Sequence, residues 1–183
     1  ALTIKKEIVG ISAHSANSKK GKNALIESAK IVNSINSMDK KIGTNSVIGG
    51  LEYYETVNVT SLNTFNAFNV IPGRAELIIN YRFSPEIGLD RAKEKLFSII
   101  GPQNITILDD ADSCYIGSKG DEFLLDGPER EIMQAWTDMA QLNERGIPCV
   151  NYGPGSIKVA HKAEERISII ELNDFYELLK DHL

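Results

Sequence analysis

GRAELIINYRF, Gly73 to Phe83, decides the fold. Ala75, Leu77, Ile79 and Tyr81 fall at every second position, which is the period of a strand with one buried face. Arg82 falls on the opposite face, at the strand's end. On the N-terminal side, FNAFNVIPG reads as a connection, and YYETVNVTSLN is alternating and β-branched, so it is a second strand. On the C-terminal side, SPEIGLDRAKEKLFSIIG sets Leu89, Ala92, Leu96 and Ile99 at helical spacing before a Gly101-Pro102 stop. NITILDDAD then reads as another strand.

Further toward the N-terminus, LTIKKEIV has apolar residues at 2, 4, 8 and 9 and reads as a half-buried strand ended by Gly10. HSANSKKGKN is a polar loop. In NALIESAKIVNSIN, Leu25, Ile26, Ala29, Val32 and Ile35 recur in steps of three and four, a stripe predicted to face the core. MDKKIGTNSVIGG reads as a loop. Residues 1–112 therefore read β-α-β-β-α-β. That order predicts a four-stranded antiparallel sheet with both helices on one face.

Residues 113–183 read differently. SCYIGSKGDEFLLDGPERE is Gly-rich and poorly periodic, and TDMAQLNERG is a short helix ending at Gly146. IPCVNYG is an apolar run of the buried parallel-strand type. SIIELNDFYELLKDHL is a last helix, with Ser168 and Glu171 as a capping box and Ile170, Phe175, Leu178 and Leu179 inward. One strand cannot close a sheet, so this part is expected to be the remnant of an α/β domain. The whole chain is α/β in class. It opens on a strand without an initiator Met, which predicts a processed chain or a piece of a longer one.

The formal net charge of -5, with no Lys/Arg run among aromatics, argues against a nucleic-acid partner. No apolar run reaches membrane-spanning length. Two cysteines in no close-spaced motif fit a reducing cytoplasm. No phosphate loop, Rossmann fingerprint or nucleophile elbow occurs.

Three histidines, His14, His161 and His182, lie far apart in sequence. His161 follows the strand read at IPCVNYG and the glycine-proline loop after it, where α/β folds place functional groups; otherwise it is a loop histidine bonded locally. A metal centre needs several ligands. Glu164 and Glu165 are adjacent and cannot both join His161 at one ion, so any further ligands are expected outside this chain. His14 is either a surface loop residue or an oxyanion stabiliser, and His182 is read as solvated. Arg82 either pairs with an acid such as Glu76 or clamps a carboxylate. Thr137-Asp138 either caps a helix or offers its first donors to an anion. Trp136 is expected in the core or at a domain contact. Cys149 is expected as a small buried hydrophobe rather than a nucleophile.

Four motifs occur together and in order: GISAHSANSKKGKNAL, FNVIPGRAELIINYRFSP, WTDMA and GIPCVNYGPGSIKVAHKAEERISI. In this the chain resembles the M20 family of zinc aminoacyl hydrolases, from Ala1 to the last helix. The resemblance implies a lid, or dimerisation, domain over 1–112 and the C-terminal segment of a zinc-hydrolase domain over 113–183. The N-terminal half of that domain, with most metal ligands and the general base, would be absent, and the chain alone inactive. By the resemblance, His161 would bind one of two zinc ions, or another divalent metal such as cobalt. His14 would reach across a lid–lid homodimer to stabilise the intermediate in the other subunit. Asn69, Arg82 and Thr137 would bind the substrate. The implied reaction is hydrolysis of the amide of an N-acyl amino acid with anionic ends, N-succinyl-diaminopimelate by preference. Other aminoacylase, deacetylase or dipeptidase activities of the family, or a non-catalytic dimerisation module, are the alternatives.

Overall fold

A computed structural model of the chain describes residues 1–41, 46–48, 51–114, 132–133 and 137–182. Its centre is the antiparallel sheet expected from the alternation. The strands are β1 (Leu2–Val9), β5 (Thr56–Asn63), β7 (Arg74–Arg82) and β8 (Ile105–Asp110), in the order β5-β7-β1-β8. β1 and β7 run side by side from Leu2 opposite Tyr81 to Val9 opposite Arg74. Two helices, α1 (Ala24–Lys41) and α2 (Gly88–Ile100), complete the β-α-β-β-α-β order. The buried positions of β1 and β7 are strictly alternate, and both helices pack on that one face.

The core joins Leu2, Ile4 and Ile8 of β1 to Leu77, Ile79 and Tyr81 of β7, under Ile35 and Met38 of α1 and Ala92, Leu96 and Ile100 of α2. Each such aliphatic side chain contributes about 1.5–3 kcal/mol relative to exposure, so this layer carries most of the domain's stability. Gly101, at φ 75°, ends α2 in the left-handed region that a residue with a side chain avoids. Lys6 interrupts the apolar row of β1 yet is only 6% exposed. Its ammonium donates to the carbonyls of Gly101 and Gln103, at the negative end of α2.

The structure keeps the second half of the expected α1 stripe, with Ile35 buried and Val32 packed against the core, and turns its first half outward. Leu25, Ile26 and Ala29 are exposed, while Ala24, Ser28, Ile35 and Met38 are buried. Ala24 is small enough for close approach to the sheet. The Ser28 hydroxyl is satisfied by donating to the Ala24 carbonyl, so a polar residue tolerates that side. Stretches read as loops or connections take part in short strands: β2 (Ala13–His14) pairs with β6 (Val70–Ile71), and β3 (Ser46–Ile48) pairs with β4 (Leu51–Tyr53), whose Tyr53 opens the stretch read as a strand.

In the C-terminal part, α3 (Met139–Glu144) and α4 (Ile169–His182) form as expected. IPCVNYG forms no strand; it is irregular, and Ile147 is exposed. A strand needs a partner to satisfy its backbone, and none of the described residues offers one. On α4, Phe175, Leu178 and Leu179 are half-buried, and Phe175 stacks on Tyr152 with ring centroids 5.6 Å apart. Ile170 was expected inward but is exposed, as are Ile169, Leu172 and Tyr176. Trp136 lies outside the described residues. Among those residues, no helix is long and apolar enough to cross a membrane.

Candidate functional site

His14 and Asn69, 55 residues apart in sequence, meet at one end of the sheet. The strand pairing does this locally: His14 of β2 stands opposite Val70 of β6, and the Ser15 N–H donates to the Asn69 carbonyl at 2.8 Å. Further backbone bonds close the region. Gly10 N–H donates to Gly73, Ile11 and Lys22 exchange a pair of bonds, and Ala24 N–H donates to Pro72. Such crowding requires glycine at two places. A Cβ on Gly10 would overlap the Lys22 carbonyl, and one on Gly73 would meet Ser12, 2.7 Å from its backbone nitrogen. The His14 Nδ1 accepts from the Ala16 N–H at 3.1 Å, and its Nε2 faces the Asn69 amide at 3.4 Å. Both side chains are exposed, as a group meant to reach a ligand would be.

Arg82 closes the opposite end of the same sheet. β7 has nine residues from Arg74 to Arg82, so its ends stand about 27 Å apart at roughly 3.4 Å per step. His14 and Asn69 lie beyond the Arg74 end, so Arg82 and the His14–Asn69 pair cannot hold one small substrate within a single chain. Arg82 projects from the polar face. Its Nε donates to Asn80, whose amide in turn donates to Thr3. Of the two alternatives for Arg82, the pairing with Glu76 is not the one seen. Glu76 accepts from Arg74, which also bridges Glu7.

The core side of that strand end holds a polar cluster that the sequence pattern does not show. The Glu55 carboxylate, nearly buried, accepts from the Tyr81 hydroxyl and the Lys95 ammonium at 2.7 Å each. Burial, then the bond to Glu55 and its charge, push the Tyr81 hydroxyl well above the ordinary tyrosine range. Tyr81 also meets Phe83 edge-on, at 5.8 Å between centroids. The residue that presents Arg82 is thus anchored to α2 and to the approach of β5.

Thr137 and Asp138 precede α3, as expected, but Asp138 at the cap position makes no side-chain capping bond. His161 is exposed and sits at φ 61°, a left-handed conformation uncommon for a residue with a Cβ. Its N–H donates to the Glu165 carboxylate at 2.9 Å, which folds the loop back on itself. Glu165 is thereby occupied with the backbone. Among the described residues, no three His, Cys, Asp or Glu side chains cluster as metal ligands. One histidine does not make a metal centre, so these residues do not by themselves fit zinc. Cys149 is half-buried and its thiol faces the Met139 carbonyl at 3.7 Å. The His182 side chain lies outside what is described.

A family model, the peptidase dimerisation domain of the M20 group, matches residues 1–106. A succinyl-diaminopimelate desuccinylase of Corynebacterium glutamicum is 32% identical over 192 residues, which cover 100% of this chain and 51% of that protein. An acetylornithine deacetylase of Myxococcus xanthus is 25% identical over 182 residues, 91% of this chain and 47% of that one. The chain spans about half the length of the curated relatives it matches. Among solved structures, a Staphylococcus aureus tripeptidase superposes with a TM-score of 0.67 over 97% of this chain and 49% of its own, at 18% identity, a likeness of fold. With more than half of its residues inside the family model, the chain belongs to the M20 peptidase family, through its dimerisation domain.

Proposed function

We propose that this chain supplies the lid and the C-terminal catalytic segment of a metal-dependent amidohydrolase that works in the cytoplasm as a homodimer. Residues 1–112 are the lid and 113–183 the catalytic segment. The observation that carries the reading is the placing of His14 with Asn69 at one end of β7 and of Arg82 at the other. A small substrate can touch both only if two lids pair, so that the Arg82 end of one chain meets the His14–Asn69 end of its mate.

The substrate proposed is an N-acyl amino acid with anionic ends, N-succinyl-diaminopimelate first. The similarity to the desuccinylase over the whole chain supports this choice. The Arg82 guanidinium suits a carboxylate, held from behind by Asn80. Asn69 and Thr137 are proposed to contact the remaining polar ends. Amide hydrolysis builds negative charge on the carbonyl oxygen, and the outward Nε2 of His14 can donate a hydrogen bond to it. Zinc, in two ions, would supply Lewis acidity and an activated water. His161 is the ligand proposed from this chain, and its constrained loop supports that assignment. The other ligands and the general base are proposed to come from outside the described residues.

The test is His14→Ala in the longer protein, assayed on N-succinyl-diaminopimelate. kcat should fall by about 10²-fold or more with KM little changed, the signature of a donor that acts in the transition state. Unchanged kcat would remove His14 from the chemistry. A second reading, a lid module that only dimerises, is favoured by the family match ending at residue 106. It predicts a dimer of the lid in sedimentation and no effect of His14→Ala on any activity.

A further inference from the structure

The two contacts of the His14 ring are incompatible as they stand. Its Nδ1 accepts a hydrogen bond from the Ala16 N–H at 3.1 Å, while its Nε2 faces the amide nitrogen of Asn69 at 3.4 Å. A neutral imidazole accepts at one nitrogen only, and an imidazolium accepts at neither. The Ala16 contact is fixed by the backbone, because Ala16 lies in the turn that His14 itself caps. Nδ1 is therefore the acceptor and Nε2 carries the hydrogen. An amide nitrogen cannot receive that hydrogen. The Asn69 amide rotated through 180° can, since it places its oxygen toward Nε2 and its NH2 outward.

We infer that Asn69 is a positioning residue for His14. Its amide oxygen holds the Nε2–H in line, while the Ala16 N–H selects the tautomer. The backbone supports this division of labour: the Ser15 N–H to Asn69 carbonyl bond and the β2–β6 pairing keep the two side chains adjacent whatever their rotamers. The pair then presents two donors outward, Nε2–H once a stronger acceptor displaces the amide oxygen, and the Asn69 NH2. A group with two acceptor oxygens close together, such as an amide beside a carboxylate, fits them. This rests on the donor role proposed for His14, but it concerns what orients the ring, which can be measured without turnover.

The measurement is long-range proton–nitrogen correlation NMR of the histidine rings in this chain, titrated with pH. The wild-type neutral ring should show a pyridine-like Nδ1 and a pyrrole-like Nε2. Asn69→Asp puts a carboxylate where the amide oxygen stood, so the His14 midpoint should rise by about half a pH unit, the size expected of an exposed pair. Asn69→Ala removes the acceptor and adds no charge, so it should not raise the midpoint. Asn69 is exposed and contributes to the fold through its backbone carbonyl, so all three proteins should share the amide fingerprint of the sheet. A hydrogen on Nδ1 in the wild type, or a midpoint that Asn69→Asp fails to raise, overturns the inference. A midpoint that Asn69→Asp fails to raise would leave the donor role of His14, which the His14→Ala kinetics test, untouched, whereas a hydrogen on Nδ1 would count against both readings.

Discussion

Tyr81→Phe removes one oxygen from the centre of the fold and tests the Glu55–Tyr81–Lys95 cluster directly. The hydroxyl donates to the Glu55 carboxylate at 2.7 Å, and Lys95 donates to the same oxygen. A hydrogen bond to a charged group contributes about 1.5–3 kcal/mol. Lys95 would keep the carboxylate paired after the substitution, so the expected loss at pH 7 is about 2 kcal/mol. The pH dependence sharpens the test. Burial, with the Glu55 bond and charge behind it, lifts the Tyr81 hydroxyl far above its ordinary value of 10.0. The folded chain keeps this proton above pH 10 while the unfolded chain releases it. That contribution is complete below about pH 10 and is lost as pH rises further, at about 1.4 kcal/mol per unit. Phe has no such proton. The stability gap between wild type and Tyr81→Phe should therefore close by about 1.4 kcal/mol from pH 9 to pH 11. Urea unfolding followed by far-ultraviolet circular dichroism at each pH measures it. A gap that stays constant across that range, or no gap at pH 7, would refute the account of the cluster.

Lys6→Met keeps the buried stem but removes the ammonium from the Gly101 and Gln103 carbonyls, and should cost about 1–2 kcal/mol in the same unfolding assay. Lys5→Met, on the polar face, should stay within about 0.5 kcal/mol of wild type. Gly73→Ala must push a methyl into Ser12 and should destabilise by about 1–3 kcal/mol, with amide shifts concentrated at Ser12 to Ser15. After zinc addition and desalting, elemental analysis of this chain should find far less than one zinc per chain, and no difference on His161→Ala. Stoichiometric zinc lost on that substitution would show that His161 finds its ligands within this chain or its dimer mate.

The sheet was legible because its evidence is periodic and local. The alternation of Ala75, Leu77, Ile79 and Tyr81 leaves one face to bury, and the structure buries it. Lys6 escaped the reading because its charge argues for the surface, while its place between Ile4 and Ile8 argues for the core. The end of α2, formed almost a hundred residues later, satisfies the amine and decides the matter. The rotation of α1 was ambiguous in kind, since Leu25 and Ile26 are as apolar as the positions that won. Asn23 accepts from both their N–H groups, so they sit in the capped first turn, off the sheet. IPCVNYG has the composition of a buried strand but no neighbour to pair with among the described residues. At the candidate site, His14, Asn69 and Arg82 were found by motif, one at a time. That two of them touch while the third stands a strand's length away follows from a two-residue pairing too short to leave any period.

The opposed ends of β7 carry a genetic consequence under the proposed pairing of two lids. A cell making two defective alleles, His14→Ala and Arg82→Ala, would assemble mixed dimers in which one site collects both lesions and the other none. Half the sites of each mixed dimer would then be whole, and growth could return in a strain where neither allele alone supports it. A single defective allele beside a wild-type one would likewise leave each mixed dimer one whole site, here a loss from two.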